Sequence, residues 1–297
     1  MKRIIRVGSR ESALAVVQAR LVIDAITRVH PGIEIELVTM KTFGDLHQAP
    51  FQRLIESGEP GGAKGLFMKE LEQALREERI DLAVHSLKDV PMEHEEDLPI
   101  VALWGRSDPR DALVLPPGTS EPGEGPAGCS SARRRIQLLE LMPERRVEPI
   151  RGNIVTRLKK LDEGPFAFLV LAAAGLLRLG LENRISRFFT PEEMLPAAGQ
   201  GVLACQGRRG AEYDFLGALD DPDVTDCAAA ERAFAKQLGG GCTLPVGALA
   251  EVHGTELRLA GFCADEKRGI CRRGRIAGDR KNAVGLGETL ARQLGEE

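Results

Sequence analysis

Cys242 follows the three glycines Gly239-Gly240-Gly241 and precedes Thr243-Leu244-Pro245. The glycines remove side-chain bulk on one flank and let a large group approach the backbone, while Pro245 stiffens the other flank. A thiol presented in this way reads as an attachment point. The preceding segment, 225–238, places Cys227, Ala230, Phe234 and Leu238 on one helical face, and Gly239 fits a helix stop. A helix C-terminus is the negative end of the backbone dipole and disfavours a thiolate. The pattern points to a thiol that reacts once and stays bonded, rather than one that attacks at every turnover. A buried structural cysteine fits the same local sequence, because free cysteines usually pack as small hydrophobes.

Arginines recur in short turns, as if many carboxylates had to be held. Gly8-Ser9-Arg10-Glu11-Ser12 follows a strand-like run and opens a helical one. Ser9 or Ser12 can cap free backbone N–H groups there, and Arg10 adds a planar two-pronged donor for a carboxylate. Capping alone accounts for the serines but not for Arg10. His85-Ser86-Leu87-Lys88-Asp89-Val90-Pro91 follows another strand. Asp89 has the chemistry to move protons or hold a cationic intermediate; a turn-forming aspartate is the plainer alternative. His85 reads as a hydrogen-bonded strand histidine. Gly128-Cys129-Ser130-Ser131-Ala132-Arg133-Arg134 repeats the combination of small residues, helix start and arginines. So do Arg151-Gly152-Asn153 with Arg157, and Arg178 after Ala172-Ala173-Ala174-Gly175. Arginine suits planar carboxylates better than lysine does. Gly199-Gln200-Gly201-Val202-Leu203-Ala204 matches G-x-G-x-x-A, but it follows Pro196-Ala197-Ala198 instead of a strand. No dinucleotide site is expected there.

The elements that must position these residues follow from periodicity. Residues 3–8 read as a strand, 12–29 as a helix with Leu14, Val17, Leu21 and Ala25 on one side, and Ile33, Ile35 and Leu37 as a strand. Residues 45–64 are rich in Gly and Pro and read as a lid. A helix over 67–78 and an apolar strand over 82–86 follow. This order predicts a mostly parallel sheet covered by helices. A second unit begins near 105–109, with strands over 111–115 and 168–171, an extended run at 147–150, and helices over 131–141 and 153–162. Residues 196–201 would carry the chain back to the first unit. Two lobes joined by two crossovers would form a cleft, a common place for a ligand. From about Asp223 the pattern is helix, three short strands near Gly247, Glu256 and Gly269, and a helix from Asn282.

Composition limits the partners. The chain has 297 residues, 43% of them hydrophobic, enough for two or three cored domains. A net charge of −4 and only 4% aromatics argue against a general nucleic-acid binder. Residues 131–160 nevertheless hold nine Lys or Arg against three Glu, a patch suited to an anionic small molecule. Met1-Lys2-Arg3 leads into a strand-like run, so neither a signal peptide nor a membrane span is expected. Six scattered cysteines read as reduced thiols of a cytoplasmic protein, and the histidines show no metal spacing.

Taken in order, these motifs resemble the porphobilinogen deaminase family. The matching runs also include Lys64-Gly65-Leu66-Phe67, Asp108-Pro109-Arg110-Asp111-Ala112 and Ala230-Glu231-Arg232, and they span nearly the whole chain. The resemblance implies an α/β fold of three domains. Two are lobes like those of bilobal binding proteins, 1–104 with 198–222 and 105–197. The third, 223–297, is a smaller cofactor-attachment domain with a three-stranded sheet. It also implies a dipyrromethane cofactor bonded through a thioether to Cys242. Four porphobilinogen units would join head to tail on it with loss of ammonia, and hydrolysis would release linear hydroxymethylbilane.

Each pyrrole carries an acetate and a propionate, which accounts for the arginines. By resemblance, Ser86, Lys88, Asp89, Ser131, Arg133, Arg134, Arg151, Arg157 and Lys64 bind the cofactor. Arg10, Ser12, Arg151, Arg157 and Arg178 would bind substrate. Asp89 would be catalytic, stabilising the electron-poor azafulvene left by loss of ammonia and the pyrrolic cation that follows. The expected partner is porphobilinogen, with no nucleic acid, membrane or metal, and the chain is expected as a monomer. Departures from the family pattern are Cys129 for Thr, Ala132 for Leu, Cys205-Gln206 for Ile-Glu, and Glu59-Pro60 where a second lid lysine is common. A non-catalytic bilobal receptor for a carboxylate ligand would also explain lobes and arginines, but has no need of Cys242 or Asp89.

Overall fold

The structure is a computed structural model that describes residues 4–42, 68–93, 95–219, 221–239 and 245–295. Cys242, Lys64, Glu59-Pro60 and the lid over 45–64 lie outside the described residues. In chain order the elements begin with β1 (Ile4–Arg10), α1 (Ala13–Val29), β2 (Glu34–Met40), α2 (Lys69–Arg76), β3 (Leu82–Ser86) and β4 (Ile100–Trp104). Next come β5 (Asp111–Val114), β6 (Ala127–Gly128), α3 (Ala132–Leu141), β7 (Val147–Glu148), α4 (Ile154–Asp162), β8 (Phe168–Ala172), α5 (Ala173–Arg178) and β9 (Arg187–Phe188). The chain ends with β10 (Leu203–Gln206), α6 (Pro222–Gln237), β11 (Val246–His253), β12 (Glu256–Asp265), β13 (Ile270–Asp279) and α7 (Ala283–Gly295). They form two compact units, Met1–Arg106 with Val202–Thr225, and Ser107–Gly201 with Asp226–Glu297.

In the first unit α1 starts where Ser12 accepts a hydrogen bond from the Ala15 N–H, as the sequence suggests. Its buried Ala19, Val22, Ala25 and Ile26 pack on Ile5, Val7, Leu82 and Val84 of the sheet. On the opposite face Leu71, Ala74 and Leu75 of α2 cover Ala83 with Ile80 and Leu98. The strand order is β2-β1-β3-β10-β4. β1 runs parallel to β2 and β3, but β10 is antiparallel to both β3 and β4. Four of the five strands therefore run the same way, so the sheet is mostly parallel as the element order predicts. Only β10 is reversed, because the chain returns at Val202 and inserts it in the opposite direction.

The second five-stranded sheet, β7-β6-β8-β5-β9, is mixed as well, with β6 parallel to β7 and β8 and β5 antiparallel to β8 and β9. It is buried on both faces. Ala112, Val114, Leu169 and Leu171 face the cluster completed by Leu158, Leu161 and Leu176. Their alternate neighbours Leu113, Leu115, Phe168 and Val170 face Leu138, Phe189 and Met194. This period of two on continuous apolar runs is what strands covered on both sides require.

The C-terminal strands form the antiparallel sheet β11-β12-β13. They are eight to ten residues long, longer than the sequence suggested, since most of β13 alternates in exposure and carries no continuous apolar run. Gly261 leaves room for Phe234 and Leu290, whose atoms a Cβ there would meet at 2.5 and 3.0 Å. Leu249, Phe262 and Ala264 pack on Leu195, with Ile136 of α3 alongside. That packing groups this sheet with the second five-stranded one in a single unit. Among the described residues no helix is long and apolar enough to cross a membrane.

Candidate functional site

Parallel pairing brings the carboxyl ends of β1 and β3 to one sheet edge, with Val7 opposite Leu82 and Gly8 opposite Ala83. Arg10, half-buried, ends β1, and Ser12 opens α1. A Cβ on Gly8 would meet Ile80 Cδ1 at 2.3 Å, so glycine lets β1 pass close to the core there. Ser86 ends β3 and exchanges hydrogen bonds with Gln18 of α1, at 2.8 and 3.2 Å. A single 3-10 turn over Leu87–Asp89 follows. Leu87 is buried, and its N–H donates to Val202 O at 3.0 Å. Lys88 is half-buried and the Asp89 side chain is exposed. The edge thus offers the exposed Asp89 carboxylate, on the turn after β3, with cationic and hydroxyl groups on the same strand ends.

His85 lies buried beneath this edge, with Nε2 3.1 Å from Gln206 Oε1. Burial pushes its pKa down to about 4, against the Gln206 hydrogen bond. The ring is neutral at neutral pH, which fits a hydrogen-bonded strand histidine. The unfolded chain has an ordinary histidine pKa of about 6.5 and so binds more protons than the folded one from about pH 6.5 down to about 4. Stability is therefore expected to fall on acidification through that window. Thermal melts of wild type and His85→Gln across it check the sign: the variant should lose less stability, and equal losses would contradict it. Gln206 also donates to Leu98 O at 3.0 Å and to Glu72 Oε1 at 3.2 Å. A carboxylate at 206 could make neither bond, which accounts for glutamine at this departure. Cys205 is part of the core, its thiol pushed up to about 12 by burial.

In the second unit the same edge logic holds for β6, β7 and β8. Ser131 caps α3 by accepting from the Arg134 N–H, and Ser130 Oγ accepts from the Ile150 N–H at 3.0 Å. Asn153 caps α4, accepting from the Thr156 N–H at 2.9 Å. Arg151 is exposed, and Arg157 Nε donates to Gly152 O at 2.7 Å. Arg178, at the end of α5, donates to Gly201 O at 2.6 Å, and burial lowers its pKa to about 10. Cys129 is buried; its thiol donates to Ser131 O at 3.5 Å and is pushed up by burial.

Arg133 and Arg134 are placed differently from the sequence picture of arginines open to a ligand. Both are buried, and Asp111, with no exposed surface, lies between them. Arg133 Nη2 is 2.8 Å from Asp111 Oδ2, and Arg134 Nη2 is 2.8 Å from Oδ1. Arg133 also donates to Leu195 O and Arg134 to Val170 O. Burial alone would raise the Asp111 pKa; the two guanidinium groups and Gln200 together hold it well below the usual carboxylate range. Two cations against one anion leave this cluster with one net positive charge at the start of α3.

A family model described as porphobilinogen deaminase, dipyromethane cofactor binding domain, matches residues 5–213. The C-terminal domain of the same family matches residues 225–296. The porphobilinogen deaminase of Alkaliphilus oremlandii is 51% identical over 98% of this chain and 96% of its own length. That of Ruminiclostridium cellulolyticum is 47% identical over 99% and 98%. The chain belongs to the porphobilinogen deaminase family. It is a transferase, a hydroxymethylbilane synthase of tetrapyrrole biosynthesis, with the family's dipyrromethane-binding domain. Among solved structures, the BenM effector binding domain with its effector benzoate is 14% identical, covers 72% of this chain and 87% of its own, and has a TM-score of 0.42. A likeness at that level carries no functional argument.

Within the porphobilinogen deaminase frame, the structure divides the expected site residues between its units. Arg10, Ser12, Ser86, Lys88 and Asp89 share the edge of the first; Ser131, Arg133, Arg134, Arg151, Arg157 and Arg178 belong to the second. Asp111, Gln200 and Glu231 lie within the sequence motifs, but the motifs assign them no role. All three are buried polar groups. The available signal was a charged or amide side chain set among apolar neighbours, as in Asp111-Ala112-Leu113-Val114. The Gly199-Gln200-Gly201 turn runs into β10, not a helix, which a dinucleotide fingerprint would need.

Proposed function

We propose that Asp89 is the catalytic carboxylate of the condensation, with Arg10 and Ser12 holding substrate beside it. The observation that carries this is the exposed Asp89 carboxylate on the turn after β3, at the sheet edge where Arg10 ends β1. A carboxylate there stabilises positive charge as the C–N bond of the porphobilinogen aminomethyl arm breaks, the nitrogen leaving as ammonia and the methylene carbon staying on the ring, and it accepts the pyrrole proton. Ser86 and Lys88 bind the cofactor from the same strand end. Arg151, Arg157 and Arg178 grip acetate and propionate groups, Arg151 being exposed for it. Ser131, Arg133 and Arg134 act on cofactor carboxylates through the positive charge left over at the start of α3. The donor set fits a ligand that carries several carboxylates. When bound, the dipyrromethane supplies the primer pyrrole to which new rings are joined. Lys64 is proposed as a further cofactor contact. The working division is 1–104 with 198–222, 105–197 and 223–297, in a cytoplasmic monomer without nucleic-acid, membrane or metal partners.

Cys242 is proposed as the attachment point. Among the described cysteines, Cys129, Cys205, Cys227 and Cys263 are buried and only Cys271 is exposed. The Cys271 thiol is held up by partial burial and by Glu140, so it is a poor thiolate. The intact mass of the purified chain is expected to exceed the sequence mass by two linked pyrrole units, with peptide mapping placing them on Cys242. An unmodified active protein, or an adduct on Cys271, would overturn the assignment.

A further inference from the structure

The Gly199-Gln200-Gly201 turn and the Ala230-Glu231-Arg232 run have no part in the reaction as drawn, yet both bury polar groups completely. Glu231 has no exposed surface, and Gln200 is 1% exposed. The Glu231 carboxylate on α6 accepts from two distant backbone N–H groups, Gly199 at 2.7 Å and Ala250 of β11 at 2.8 Å. Gln200 Nε2 donates to Asp111 Oδ1 at 2.9 Å and to Pro109 O at 2.7 Å. Gly201 O in turn accepts from Ser107 N–H at 3.0 Å and Arg178 Nη2 at 2.6 Å. The turn itself is tightly specified. Gly199 and Gly201 sit at φ 74° and 89°, and a Cβ on Gly201 would lie 2.4 Å from Ser107 O.

A buried polar path therefore runs from Ala250 through Glu231, the backbone of Gly199-Gln200 and Asp111 to Arg134 by hydrogen bonds, with Arg133 ion-paired to the same carboxylate. Its far end is the positive cluster at the start of α3. Its near end is α6 and β11, the two elements that flank Cys242 in sequence. Association of these parts does not depend on the path. Leu195, Leu249, Phe262 and Ala264 already join them through apolar packing, and Arg273–Glu140 and Arg275–Glu192 add ion pairs at 2.6 and 2.7 Å. Apolar packing is non-directional, whereas buried hydrogen bonds and ion pairs are directional and favour one geometry. We propose that Gln200 and Glu231 are positioning residues for cofactor loading, holding the Asp111–Arg133–Arg134 cluster in register with the segments on either side of Cys242. The proposal rests on the assignment of Cys242 and the arginine cluster made above.

The test uses the full chain and porphobilinogen. Gln200→Met keeps the side-chain volume and removes the amide donor, while the Arg–Asp ion pairs remain. Glu231→Gln keeps the shape but turns an NH2 group towards one of two N–H donors. Melting temperature, the fraction of chain carrying the adduct, and the rate at which unmodified chain gains it on adding porphobilinogen are measured together, well below the melting range. The expected result is a folded Gln200→Met that loads about tenfold more slowly than wild type, the size of one lost hydrogen bond to a charged group. A purely structural role would lower the melting temperature and leave the loading rate of the folded chain unchanged; that outcome overturns the proposal. If Gln200→Met does not fold, Glu231→Gln is read in the same way, and failure of both to fold assigns the residues to folding instead. A wild type without any adduct overturns the functional reading together with this one. A loaded wild type with normally loading variants overturns this one alone.

Discussion

Asp89→Asn is expected to keep the fold and the cofactor while losing ammonia release by about 10²–10⁴-fold, the usual range for a positioned proton-transfer or charge-stabilising group. The turn that presents Asp89 is held by backbone bonds, Leu87 N–H to Val202 O at 3.0 Å and Val90 N–H to Leu87 O at 3.1 Å. Leu87 anchors it in the core. The Asp89 side chain is exposed, so an isosteric amide disturbs little packing. What changes is chemistry: the amide carries no negative charge for a pyrrolic cation and does not accept its proton. Ammonia release and circular-dichroism melts on the same preparation separate the two effects. Turnover within a few-fold of wild type, in a folded and loaded variant, would remove Asp89 from the mechanism.

The parts of the fold legible in the sequence were those set by local rules. Ser12 and the apolar spacing mark α1 as a helix, and the structure agrees with a Ser12 cap. The buried face, however, is Gln18, Ala19, Val22, Ala25 and Ile26. Of the expected Leu14, Val17, Leu21 and Ala25 side only Ala25 is buried and Leu21 is exposed, because a helix apolar on two adjacent sides does not show which side the sheet covers. Gly239, at φ 91°, ends α6 where the glycine run begins. The motif turns sit at strand ends because small residues and caps are what a strand-to-helix turn needs. The reversed direction of β10 was not legible, since it is four residues long and antiparallel only by virtue of its two distant neighbours. Two-residue strands such as β7 and β9 carry no periodicity at all. Within the site, residue types located Arg133 and Arg134, but their burial depends on Asp111, whose partnership is a tertiary fact. Sequence patterns show which side chains can hold charge; they do not show which charges are already neutralised inside the protein.

That distinction yields an ordering of variants around Asp111. Arg133→Leu leaves Arg134 opposite Asp111, one cation with one anion, and cancels the net positive charge at the start of α3. Asp111→Asn leaves two buried guanidinium groups without their counter-charge. Breaking a buried ion pair by removing one partner costs about 3–5 kcal/mol, or about 5–8 °C in melting temperature for a protein of this size. Asp111→Asn is therefore expected to be the less stable variant. Arg133→Leu is expected to melt closer to wild type but to be isolated largely without cofactor, because the charge that attracts its carboxylates is gone. Arg10→Leu gives the contrast: Arg10 ends β1 at the Asp89 edge, so this variant should keep the cofactor and stall condensation. Melting curves give the stability order. Intact masses before and after adding porphobilinogen count the rings bound by each variant. An Asp111→Asn protein as stable as Arg133→Leu would show that the cluster does not depend on its single carboxylate. Full cofactor occupancy in Arg133→Leu would show that its surplus charge has no part in loading.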